Sequence, residues 1–285
     1  MKWIKRKLRQ VRSWFRNRNR DHQDDMRRTV QDSGEIFEDH PTAYRVNIPF
    51  AENIHETEGI KMRSRGEYKN GFPEGLVVHY TSGWAQKRGI WPSPFPSLTP
   101  WAARETMESM AREYALRTSK GAVKNGYNFL VMDIFGKVYQ SRPLTKWGYH
   151  AGKSYHEGVG YSVSNKLAGV EILSPGKLKH DRRTGKFTTW FGLEIPPKYV
   201  REIPSKDGNR EAGFYCVYTA EQERELLKLV LWMRDHSAVK SSGEKVFKIE
   251  NVVGHDEVSP GRKSDPGGSL SMTMSDFRKK VNGNG

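Results

Sequence analysis

From about residue 61 onward, short apolar runs alternate with turn-forming stretches in the manner of one α/β domain. Leu76 to Tyr80 is a continuous apolar run of strand length that ends in His79-Tyr80. Thr99-Pro100 supplies a helix cap and a first-turn proline, and Ala103, Met107, Met110, Ala111 and Tyr114 then recur on one helical face. Tyr127 to Asp133 and Lys137 to Ser141 flank Phe135-Gly136 as a hairpin. Leu167 to Leu173 predicts a further strand. The basic stretch after it predicts an inserted hairpin turning near Arg183-Thr184-Gly185-Lys186. Thr219 followed three residues later by Gln222 is a capping box, opening a helix to about His236 that buries Leu226, Leu229, Val230 and Met233. A strand from Asn251 to Gly254 runs into a Pro/Gly-rich loop, and a short helix begins near Thr273.

The ends differ in character. Trp3, Ile4, Leu8, Val11, Trp14 and Phe15 fall within an arc of roughly 140° on a helical projection. Lys and Arg fill most of the rest, so residues 1–20 read as a basic amphipathic helix. Such a helix suits an anionic membrane interface, a docking groove on this or another protein, or phosphate contacts with nucleic acid. Its two Trp favour an interface or a groove. Residues 21–60 read as a linker or partly ordered arm, of which Tyr44 to Phe50 is a candidate to pack on the domain at 61–282.

Charge sharpens this division. Nine Lys or Arg and no acid lie in the first twenty residues, leaving +6 of the net +15 for the remainder. The balance implies an anionic partner, concentrated on the tail. The single cysteine, Cys216, excludes an internal disulfide framework and reads as a small buried strand residue. No stretch has the length and apolarity to cross a bilayer, and the basic start is not followed by a secretory apolar region. The chain is therefore expected to be made in the cytoplasm and delivered to an outside target by other means.

The candidate chemistry lies in Gly254-His255 through Lys263-Ser264-Asp265-Pro266-Gly267. His255 and Asp265 stand ten positions apart across a loop too rich in Pro and Gly for a continuous helix, and His79 leaves a buried strand upstream. Two imidazoles and a carboxylate are the donor set of an open catalytic zinc site, where a fourth position lowers the pKa of bound water to about 7. A lone His at a strand end is ordinarily a satisfied core residue, and Asp-Pro and Pro-Gly are ordinary turn formers. Neither explanation accounts for the His that precedes the loop.

Four segments resemble the zinc-dependent N-acetylmuramoyl-L-alanine amidases, the family of T7-type lysozymes, anhydromuramyl-peptide amidases and peptidoglycan recognition proteins. They are Val77-Val78-His79-Tyr80-Thr81, Gly126 to Val131, Tyr149-His150-Ala151-Gly152 leading to Gly169-Val170-Glu171, and the terminal loop. The resemblance covers roughly 61–282 and omits the insertion at about 174–213. It implies a central mixed β-sheet flanked by helices and Zn2+ on His79, His255 and Asp265. It also implies that Lys263 stabilises the oxyanion, that Glu171 or Tyr127 moves protons, and that His150 beside Trp147 contacts substrate or supports a ligand. The T7-type branch uses Cys as third ligand, whereas Asp265 matches the anhydromuramyl-peptide branch. The implied partner is peptidoglycan, cleaved between the muramic lactyl group and L-Ala, without need of nucleic acid. Residues 1–20 would add contact with a membrane surface or a virion or secretion assembly. A phage lysis or virion-associated hydrolase is the expected setting; a secreted antibacterial effector and a non-catalytic peptidoglycan-binding module are the rivals.

Overall fold

The structure is a computed structural model that describes residues 47–56, 64–82, 112, 115 and 130–283. The expected helix at 1–20, Tyr127, and most of the helix after Pro100 lie outside the described residues; Arg112 and Ala115 are both helical. Two larger sheets contain, in chain order, β1 (Ala51–Asn53), β2 (Leu76–Tyr80), β3 (Leu130–Met132), β4 (Val138–Gln140), β5 (Ala168–Ile172), β6 (Lys177–Asp181), β7 (Lys186–Thr188), β8 (Glu194–Ile195), β9 (Val200–Ile203), β10 (Gly213–Cys216) and β11 (Val252–Gly254). The principal helices are α1 (Ala220–Asp235), the single turn α2 (His255–Val258) and α3 (Met274–Val281).

The main sheet is mixed, in the order β1-β4-β3-β5-β2-β11. All its neighbours run parallel except β3 and β4, which form the expected hairpin. Asp133 closes that hairpin by accepting the amides of Phe135 (2.8 Å) and Lys137 (3.0 Å). Alternation along the strands separates two faces. Leu76, Val78, Val170, Ile172, Leu130 and Met132 join one core with Leu226, Leu229, Val230 and Met233 of α1 and Phe277 and Val281 of α3. The opposite face carries a row set by register, in which His79 pairs with Glu171, Glu171 with Val131, and Val131 with Tyr139. Both faces are covered, which explains why β2 and β5 read as continuous buried runs.

The capping box of α1 forms as expected, and Gln222 does more than cap. Its side-chain amide donates to the carbonyls of Asp133 (3.0 Å) and Leu173 (2.9 Å), pinning the helix start to the outgoing ends of β3 and β5. Three features extend the sequence expectations. The insertion is not a lone hairpin: β6 and β7 belong to a five-stranded sheet ordered β8-β7-β6-β10-β9, because β10 returns to pair with both β6 and β9. The arm packs on the domain within the stretch expected to do so: Ile48 is fully buried, its amide bonds Gln140 Oε1 at 2.8 Å, and β1 then extends the main sheet beside β4. The loop after Gly254 begins with one helical turn before Pro and Gly take over.

Candidate metal centre

Parallel β2, β5 and β11 bring their carboxyl ends together, the usual place for a site in an open α/β sheet. His79 is the penultimate residue of β2, and Gly254, paired with Val78, delivers His255 directly after β11. The chain then makes its excursion and returns, closed by the Asp256 amide donating to the Asp265 carbonyl at 2.8 Å. This return demands glycine at 254: a Cβ there would lie 2.2 Å from Asp256 Oδ1 and 2.7 Å from Pro266 Cδ. Arg262 fastens the excursion to its neighbour by donating to the carbonyls of Ala151 (2.7 Å) and Lys153 (2.8 Å). Behind it, Glu257 accepts the Gly254 amide and a two-pronged contact from Arg278 at 2.8 and 3.0 Å.

The result is a triangle. His79 Nδ1 lies 2.9 Å from His255 Nδ1 and 3.0 Å from Asp265 Oδ2, and His255 Nδ1 lies 2.9 Å from the same oxygen. All three residues are buried. Their outer contacts set the tautomers. His255 Nε2 faces the Ala151 carbonyl at 3.0 Å and must carry a hydrogen, which leaves Nδ1 as a lone pair. His150 Nε2 faces the Leu167 carbonyl at 2.8 Å, so His150 Nδ1 is an acceptor. His79 Nε2, 3.1 Å from that acceptor, is then the donor, and its Nδ1 is a second lone pair. Two nitrogen lone pairs and a carboxylate oxygen thus converge with no hydrogen among them.

Such an arrangement is repulsive unless a cation sits between the donors. Three corners of a tetrahedron with metal–ligand bonds near 2.0–2.1 Å are separated by about 3.3 Å, close to the observed edges. Charge agrees. Burial, with the neighbouring His255 and Lys263, lowers His79 to about 4, and burial likewise lowers His255. Burial works against the Asp265 anion, but the adjoining His255 and His79 outweigh it and hold the carboxyl well below its usual range. At neutral pH the triangle is two neutral imidazoles and one carboxylate, the forms that bind metal. Among the described residues, His79, His255 and Asp265 form a group able to hold a metal ion.

The other expected residues sort by position. Glu171 is buried beside His79 in the strand register, on the same face. Lys263, partly buried two residues before Asp265, lies near enough for its charge to disfavour protonation of both ligating histidines. His150 fits the ligand-supporting alternative and not that of substrate contact: both ring nitrogens face protein partners, one of them His79, as in a residue that orients a ligand. Trp147 also departs from it, packing inward against Tyr149 and Tyr68 rather than lining an open groove. Cys216 is buried at the end of β10, its thiol pushed up to about 12 by burial, as the structural reading expects.

Sequence reasoning missed the fastening residues. Ser164 Oγ accepts the amides of His150 (3.1 Å) and Ala151 (3.0 Å), and the Tyr218 hydroxyl donates to the His79 carbonyl at 3.2 Å. No local pattern signals either one, because each partner is distant along the chain.

The fold gathers a candidate metal centre at the carboxyl ends of an open α/β sheet, and comparison gives the family. A model of the N-acetylmuramoyl-L-alanine amidases matches residues 69–268, and the chain belongs to that family. Among solved structures, the selenomethionine derivative of AmpD is similar at 15% identity and TM-score 0.43, covering 86% of this chain and 98% of that one. AmiD from E. coli, complexed with anhydro-N-acetylmuramic acid-L-Ala-D-gamma-Glu-L-Lys, gives 17% and 0.38, covering 75% of this chain and 61% of its own. AmpDH3 from Pseudomonas aeruginosa gives 15% and 0.39, covering 80% and 65%. No curated protein matches the chain.

Two outcomes follow from the tautomer relay. His150→Phe removes the acceptor that orients His79, and metal affinity is expected to fall by roughly 10- to 100-fold in chelator competition. Unchanged affinity would place the orienting contact elsewhere. Because burial lowers both His79 and His255, the metal-free imidazoles are already neutral below the usual histidine range, so metal affinity should change little between about pH 7 and pH 6. A steep loss of affinity centred near about pH 6.5, read by chelator competition, would contradict the buried neutral imidazoles.

Proposed function

We propose that the chain hydrolyses the amide between the muramic lactyl group and L-Ala of the peptidoglycan stem, with His79, His255 and Asp265 holding zinc. The observation that carries this reading is the convergence of three electron-rich atoms at 2.9–3.0 Å in a member of an amidase family. Bound zinc supplies Lewis acidity toward the scissile carbonyl and lowers the pKa of water to about 7. The chain's own groups do the rest. Glu171, buried beside His79, takes the proton of the attacking water and returns it to the leaving amine. Lys263 offers its ammonium to the negative charge that develops on the carbonyl oxygen. Tyr127, the other acid–base candidate, shares or replaces the part of Glu171. His150 keeps His79 in the tautomer whose Nδ1 lone pair would face the metal.

The test uses purified protein and a soluble muropeptide, with products read by mass spectrometry and metal by elemental analysis. Chelation should abolish release of the L-Ala amino terminus and zinc should restore it. Lys263→Ala should keep its metal while turnover falls by roughly 100-fold, as for a lost oxyanion donor. Glu171→Gln should retain metal and lose about 100-fold or more. Cleavage that survives chelation would refute the metal assignment, and two silent variants would move the proton and oxyanion roles to other residues.

We further infer a setting in which the enzyme acts on the cell wall as a phage lysis or virion-associated hydrolase. The nine basic residues in the first twenty support attachment to an anionic membrane surface or to an assembly. Protein lacking residues 1–20 is expected to hydrolyse soluble muropeptide normally and to lose binding to anionic vesicles. Equal vesicle binding by both forms would remove the membrane version of this role.

A further inference from the structure

The inserted sheet fastens an aromatic residue to the segment that follows His79. Trp190 occupies the turn between β7 and β8 and is 59% exposed. An exposed Trp needs no explanation when it is loose, but this one is held. Its indole Nε1–H donates to the carbonyl of Ser82, three residues beyond His79 along the chain. The Phe191 ring stands against it at 5.3 Å and 89°. The turn is closed by the Thr189 amide to the Leu193 carbonyl (2.8 Å) and the Leu193 amide to Thr189 Oγ1 (2.9 Å).

Two more observations tie this turn to the site. Phe191 and Leu193 pack on the cluster of Val131, Tyr139 and Leu173. Val131 and Tyr139 belong to the same register row, on the same face, as Glu171 and His79. Ser82 itself has φ 57, a left-handed backbone that a non-glycine residue seldom adopts and that clusters at working sites. The strand that supplies a metal ligand therefore leaves the sheet through a strained residue whose carbonyl holds the indole.

We propose that Trp190 is a substrate-positioning residue whose exposed face packs against the sugar ring of the N-acetylmuramic acid group. This rests on the amidase reading of the site. The indole face is flat, apolar and uncharged, with its one polar atom already spent on Ser82. It is suited to the C–H face of a neutral sugar rather than to the carboxylate-bearing stem. Because the ring is held in one pose before substrate arrives, little ordering cost remains at binding. Its effect should appear in KM more than in kcat, as expected for a contact made equally in ground state and transition state.

The experiment compares zinc-loaded full chain, Trp190→Ala and Trp190→Phe on two substrates with the same scissile amide. One is an N-acetylmuramoyl-peptide; the other is the matching lactyl-peptide without the sugar ring. Trp190→Ala should raise KM for the sugar-bearing substrate about tenfold, with kcat, zinc content and thermal unfolding little changed. It should leave the lactyl-peptide unaffected, and Trp190→Phe should recover much of the loss. An unchanged KM for the sugar substrate, or an equal rise for both substrates, would overturn the proposal. If the unaltered chain cleaves neither substrate, the amidase reading fails, and calorimetric binding of the same two compounds decides the proposal separately. A sugar-dependent affinity lost in Trp190→Ala would uphold the contact, and its survival would overturn it.

Discussion

Mutual repulsion among three electron-rich atoms is the constraint on which the rest of the structure depends. Two imidazole lone pairs and one carboxylate oxygen sit 2.9–3.0 Å apart in a buried place, where nothing in the triangle can donate a hydrogen. Holding them there opposes both electrostatics and desolvation. Each must be fixed by the scaffold before the metal arrives. The parallel pairing of β2 with β5 and β11 sets two of the three, and the closed excursion from Asp256 to Asp265 sets the third. The donor set lies in tertiary structure, since its members come from positions 79, 255 and 265.

The surroundings serve the same constraint at increasing distance. Backbone carbonyls of Ala151 and Leu167 determine which ring nitrogens carry hydrogens, directly for His255 and through His150 for His79. Ser164 holds the amides of His150 and Ala151, so both orienting groups share one support. Arg262 then ties the metal loop to Ala151 and Lys153. A shift in the 150–153 segment would therefore disturb both histidines together. Such outer contacts set metal affinity as firmly as the ligands do.

How much of this was legible in the sequence depended on whether the signal was local. β2, the β3–β4 hairpin, the Thr219 capping box and the buried face of α1 all follow from neighbouring residues, and each was expected close to its observed bounds. Of the site, His79, His255 and Asp265 were legible because a ligand set imposes residue types and the loop has unusual punctuation. The five-stranded inserted sheet was not, since β8, β9 and β10 are short and half-exposed, with weak alternation. Ile48 fell in the stretch expected to pack on the domain, but β1 was hidden for another reason: three strand residues gain their identity from pairing with β4, more than eighty positions away. His150 and Trp147 were recognised as residues of interest, but direction is a tertiary property, and both turn inward.

What the triangle holds decides whether the site can act as proposed. Zinc K-edge absorption of the purified protein is the most direct measurement. It should find about one zinc per chain with two imidazole nitrogens and light oxygen donors, at bond lengths of about 2.0–2.2 Å. Reduction of the imidazole scattering from two rings to one in His79→Ala would complete the assignment. A protein that binds no zinc, or a spectrum dominated by sulfur at about 2.3 Å, would contradict it.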